Sequence, residues 1–124
     1  KKAQPGISAM NEGDVILTPL PQADGKVKHR PAVALREMPP YGDFLVCGVS
    51  TQVHLAVSGF DDPIIGKDDD FVGSGLMADS LIHLGFLAVL SRKNIVGSIG
   101  AIAPERHRYL LQRLSDYLVE NQPR

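Results

Sequence analysis

Apolar residues arrive along this chain in short bursts separated by proline, glycine and charge, a rhythm that predicts strands over most of its length. "GDVILTPL" (13–20) is the first such burst, with Pro19 near its end. The Asp24-Gly25 turn signal in "PQADGKVKH" (21–29) joins it to "PAVAL" (31–35) as a hairpin with a loop. The double proline and Tyr-Gly of "EMPPYGD" (37–43) end that strand, and "FLVCGVST" (44–51), rich in β-formers, follows as a third. Residues 52–79 carry Pro63, glycines and aspartates, which predict long loops around a short strand in "DPIIGKD". "SLIHLGFLAVL" (80–90) resumes as a strand with a kink or bulge at Gly85, and "NIVGSIGAI" (94–102) reads as a turn and a last strand.

A helical period appears in only one place. In "APERHRYLLQRLSDYLVEN" Pro104 suits the first helical position and Glu105 the positive end of the helix dipole, while Leu110, Leu111, Leu114, Tyr117 and Leu118 form one apolar stripe. Five or six short antiparallel strands followed by one packing helix predict a mainly β chain with a C-terminal helix, folded as a small, partly open barrel.

Composition narrows this picture. At 124 residues and 44% hydrophobic content the chain supplies one core, so a single domain is expected over 11–120. Residues 1–10 are set aside as an N-terminal extension, with Met10 a candidate native initiator and vector-derived residues before it. A net charge of -1 means that a polyanion would have to be held by a local patch. The single cysteine, Cys47, cannot form an internal disulfide, and no apolar run approaches the roughly 20 residues that span a bilayer, so a cytoplasmic protein is expected.

Few motifs carry chemistry by spacing. "GSGLMA" (73–78) fits G-x-G-x-x-A but follows "KDDDF" instead of a strand, and Lys93 and Asn94 stand where a ribose-binding acid is required; it is read as a chance match. The run Asp68–Asp70 is read as a solvated loop, and His54, His107 and Cys47 lack metal-ligand spacing, so no metal site is expected. The basic cluster Lys26, Lys28, His29 and Arg30 runs into Pro31 at the mouth of a strand, where on spacing alone Arg30 is a surface charge.

The order of several pieces changes that balance. "GDVILTPLP", "HRPAVAL", "FLVCGVSTQ", "GLMADSLIHL" and "VGSIGAIAPE", taken with their intervals, resemble the MazF/PemK toxins, Kid-like members included, across roughly Glu12 to Leu118. The resemblance implies an SH3-like barrel. It implies also the toxin of a type II toxin–antitoxin system, a homodimeric, cofactor-free and metal-independent endoribonuclease (an mRNA interferase) that arrests growth by cutting single-stranded RNA. An antitoxin partner whose flexible acidic segment blocks the RNA groove is implied with it.

Arg30 matches the family's catalytic arginine of the "RP" motif; a phosphodiester gains negative charge as its neighbouring 2′ oxygen attacks, and a planar guanidinium can bind two of its oxygens. Ser50 matches the active-site threonine position and Thr51 the small hydroxyl residue after it, both able to hydrogen-bond a phosphate. Lys26, Lys28, His29 and Gln52 would border the RNA path. Base choice would rest on the loops 21–29 and 52–79, and Phe60, Phe71 and Tyr41 are the loop aromatics that could stack a base.

The chain departs from the Kid-like pattern at one place: an Arg-x-Asp pair is replaced by His83-Leu84-Gly85, so the proposed general base is missing at Gly85. His83 stands at the arginine's position, as an acid or base or as a packed structural residue. Two other functional classes share what the residues allow: a gyrase-inhibiting toxin of the CcdB type, although "YLVENQPR" lacks the tryptophan of an aromatic end, and a nuclease-dead RNA-binding or regulatory module.

Overall fold

The computed structural model describes residues 10–21 and 24–120; all of the expected 1–10 extension but Met10 lies outside them. Six strands form one antiparallel, strongly curled sheet in the order β4-β5-β3-β2-β1-β6: β1 (Asp14–Pro21), β2 (Val27–Met38), β3 (Asp43–Ser50), β4 (Asp62–Ile64), β5 (Ser80–Leu90) and β6 (Gly97–Ala101). A one-turn helix, α1 (Phe71–Ser74), and the long α2 (Pro104–Val119) complete it. No helix among the described residues is long and apolar enough to cross a membrane.

Strand alternation gives the sheet two apolar faces. One, with Val15, Val33, Cys47, Val49, Ile82 and Leu84, closes against Leu110 and Leu114 of α2 and forms the main core. The other carries a smaller cluster of Ile16, Ala32, Ala34, Phe44, Val46 and Ile95. Met10, set aside with the extension, is buried in that second cluster. The α2 stripe is only partly used: Leu110 and Leu114 are buried and Leu111 half-buried, whereas Leu118 is exposed and Tyr117 lies against the Phe60 ring at 5.0 Å.

β2 is longer than its apolar stretch. It starts at Val27, so Pro31 lies inside the strand and Lys28, His29 and Arg30 are strand residues, not a loop. Proline has no N–H to donate, and the ladder to β3 begins only at Ala32 (with Gly48), whereas residues 27–31 pair with β1 alone. The outcome is an exposed two-stranded arm beyond the body of the sheet. The break at Gly85 is present: Cys47 pairs with Leu87 and Gly48 with His83, so Leu84 to Phe86 have no partner on β3.

The aspartate run is not the solvated loop its charge predicts. Arg106 of α2 bonds Asp70 (2.8 Å), Asp62 (2.7 Å) and Asp68 (3.1 Å), and Asp70 also accepts from the Ala103 N–H at the start of α2, while Asp69 faces solvent. The Arg106 guanidinium holds the Asp70 carboxyl below the usual range. This clamp fixes the α1 loop and β4 to α2. α1 itself ends on Gly75 at φ +77°, where a Cβ would run into the Ile99 carbonyl oxygen, so the chain can pass under β6 only with glycine.

Candidate active site

Register and alternation decide which side chains meet. Ala32, two residues from Arg30, pairs with Gly48, two residues from Ser50, and Gly48 in turn faces His83 on β5. Residues two apart on a strand share a face, which places Arg30, Ser50 and His83 on the same side of the sheet. Ala32 and Gly48, with little or no side chain, leave the middle of that side low.

Three clefts border these residues and share some of their lining. A cavity of about 260 Å³ is lined by Arg30, Ser50 and Thr51 with Leu76 and Met77 of the segment after α1. A wider trough of about 540 Å³ runs from Arg30 over Ala32 and Gly48 to Phe86. A third, of about 400 Å³, holds Ser50, Gln52, Asp61, His83 and Phe86. Arg30, Ser50 and Phe86 each line two of the three clefts.

The polar groups in it have distinct settings. Arg30 is exposed, and its guanidinium has no partner among the described residues. Ser50 Oγ accepts the Gln52 N–H at 3.0 Å, which orients the hydroxyl and leaves its proton free to donate. His83 is buried, stacks on Phe86 at 4.4 Å with 19° between the planes, and has Nδ1 3.4 Å from Asp61 Oδ2.

Most residues predicted from the sequence come together here: Arg30, Ser50 and Thr51 in one cavity, Gln52 and His83 beside Ser50. Lys28 shares Arg30's side of the arm, and Lys26 follows the turn just before it. His29 alternates to the opposite side and pairs with Pro19. The stacking candidates do not converge: Phe60 and Phe71 pack against the main core, and Tyr41 sits in the β2–β3 turn, at the other end of those strands from Ser50. Two residues went unread. Phe86, 67% exposed beside His83, is the aromatic that borders the groove. Asp61 is the acid that stands by His83, and no local pattern marks it, because it reaches the site only through the pairing of β4 with β5.

This architecture, a curled antiparallel half-barrel with one C-terminal helix, is the MazF fold. The solved structure of Mycobacterium tuberculosis toxin MazF-mt6 superposes with a TM-score of 0.63 at 16% sequence identity, over 88% of this chain and 99% of that one. No protein-family model and no curated protein matches the sequence. The likeness is one of fold, and it reaches almost end to end.

Proposed function

We propose that this chain is the toxin of a toxin–antitoxin pair, a metal-independent endoribonuclease that cuts single-stranded RNA by attack of the 2′ hydroxyl on the adjacent phosphodiester. The observation that carries the reading is Arg30: a guanidinium with no partner among the described residues, opening into the same cavity as the hydroxyls of Ser50 and Thr51. A cation left uncompensated beside hydroxyl donors suits a dianionic phosphorane-like transition state, which gains charge where those donors point. Lys28 and Lys26 on the arm would hold neighbouring phosphates without reading sequence, and Phe86 offers a face for an unstacked base.

Internal attack needs proton transfer and charge stabilisation, both available from side chains, so the reaction requires no metal. The aspartates that could have gathered a cation are held by Arg106. A substrate of this class places the protein in the cytoplasm. A single-stranded, anionic ligand also explains how an acidic antitoxin segment would compete for the same groove.

The test is incubation of the purified protein with single-stranded RNA in EDTA. Cleavage should persist and leave a 2′,3′-cyclic phosphate and a 5′ hydroxyl, and a 2′-deoxy residue at the cut should block it. Products ending in a 5′ phosphate, or activity restored only by magnesium, would overturn the reading. Inhibition of DNA supercoiling without RNA cleavage would instead favour a gyrase-directed toxin.

A further inference from the structure

Asp61 is an acid that the fold has buried with care. It is 7% exposed, one residue before β4; Oδ1 accepts the Leu84 N–H at 3.1 Å and Oδ2 the Val57 N–H at 2.9 Å. Backbone pairing between β4 and β5 ends at Asp62 and Ile82, and the Asp61 carboxylate carries it on by taking the next inward N–H of β5. That anchorage presents Oδ2 to His83 Nδ1, 3.4 Å away. Both residues line the cavity that contains Ser50, Gln52 and Phe86. Gly85, where an acid is lacking, lies two residues from His83 on the same strand.

We propose that Asp61 and His83 form the proton-transfer dyad of this site, with His83 Nε2 as the general base and Asp61 as the positioning residue that holds the proton on Nδ1; the proposal rests on the ribonuclease reading. A carboxylate removed from water needs compensation, and beyond its two backbone donors the imidazole is the neighbour that can gain a positive charge. Holding Nδ1–H toward Asp61 leaves Nε2 bare, the tautomer a base requires. As the O2′–P bond forms, the 2′ proton passes to Nε2 and Asp61 stabilises the imidazolium. The P–O5′ bond breaks, the departing oxygen takes a proton from solvent, and the imidazolium returns its own to solvent. The acid that Gly85 cannot supply is thereby delivered from the residue that precedes β4.

Other charged or titratable groups near the pair come from three elements. Arg113 of α2 donates to the Asp61 backbone carbonyl at 3.2 Å, Cys47 of β3 lies on the opposite face of the sheet with its thiol pushed up to about 12 by burial, and Arg30 of β2 borders the adjoining cavity. Asp62, next in sequence, is turned away to Arg106. Neither a guanidinium nor the protonated Cys47 thiol can act as a base, and the Asp62 carboxylate is engaged by Arg106.

Nitrogen-15 correlation spectra of histidine-labelled protein should show neutral His83 protonated on Nδ1. Asp61→Asn places an amide NH2 before Nδ1 and should reverse that tautomer, lowering kcat by about 100-fold or more with little change in KM. His83→Gln, which leaves both backbone bonds of Asp61 in place, should flatten the pH dependence of cleavage. It carries the kinetic test alone should Asp61→Asn melt below the assay temperature. Wild-type His83 protonated on Nε2, an undiminished kcat in folded Asp61→Asn, or an unaltered pH profile in His83→Gln would overturn the dyad while leaving the nuclease reading intact. Absence of EDTA-resistant cleavage by the wild-type protein would overturn both.

Discussion

Arg30 sits on the arm that β2 extends past Pro31, so its charge is exposed and its backbone is held by β1 alone, through pairing with Thr18 and a Thr18 hydroxyl bond to the Arg30 carbonyl oxygen. A side chain so placed contributes little to folding and can be removed without collapse. Arg30→Ala should therefore lower the cleavage rate by about 100-fold or more, the loss of a transition-state donor being worth roughly 3 kcal/mol, while the melting temperature hardly moves. Ser50→Ala should lose less, since the Gln52 N–H it leaves unbonded lies at an exposed turn and Thr51 remains beside the phosphate. Single-turnover rates and a melting curve on the same preparations check both. A fully active Arg30→Ala protein would remove Arg30 from the chemistry.

Between elements, the Arg106 clamp does the work that a longer sheet would otherwise do. It ties β4, the α1 loop and the first turn of α2 together through one guanidinium, with Asp62, Asp70 and the arginine itself mostly out of water. Removing a partner from such a cluster strands the remaining charges, so Arg106→Gln should cost about 3 kcal/mol or more, read as a fall in the denaturant midpoint. Asp70 supplies the pH dependence. Its carboxyl is depressed in the folded state, so its stabilisation is complete above the ordinary carboxylate range and disappears as pH falls through the folded value. Acidification should thus lower the melting temperature of the wild type more than that of Asp70→Asn, which starts lower at neutral pH. Parallel curves for the two proteins would show that Asp70 contributes no linkage.

At the scale of the whole molecule, the sheet ends on two short edges, the three residues of β4 and the five of β6. Short edges discourage indiscriminate pairing, but apolar side chains remain exposed on β5 and on or beside β6: Leu87, Val89, Val96 and Ile99. A second copy related by two-fold symmetry would cover such a surface, in keeping with the homodimer that the MazF/PemK resemblance implies. Sedimentation equilibrium at micromolar concentration should return twice the chain's mass. A monomer throughout that range would count against the dimer.

Much of this architecture was legible because its causes are local. Alternation marked the strands, the break at Gly85 announced the bulge of β5, and Pro104 with the leucine spacing marked α2; Arg30, Ser50 and Thr51 could be picked out from motif order before their shared cavity was visible. What the sequence could not determine are the relations that strand pairing and closure create. Pro31 reads as the start of a strand, yet pairing with β1 carries β2 back to Val27 and turns a basic loop into an arm. Asp68 and Asp70 read as solvated charge until α2 returns Arg106 to them from more than thirty residues away. Asp61 and His83 are separated by a loop, a short helix and most of the chain's least patterned stretch. They meet only because β4 pairs with β5, and that register is decided by the burial of Ile64 and Ile82 in a common core, a long-range free energy that no local pattern contains.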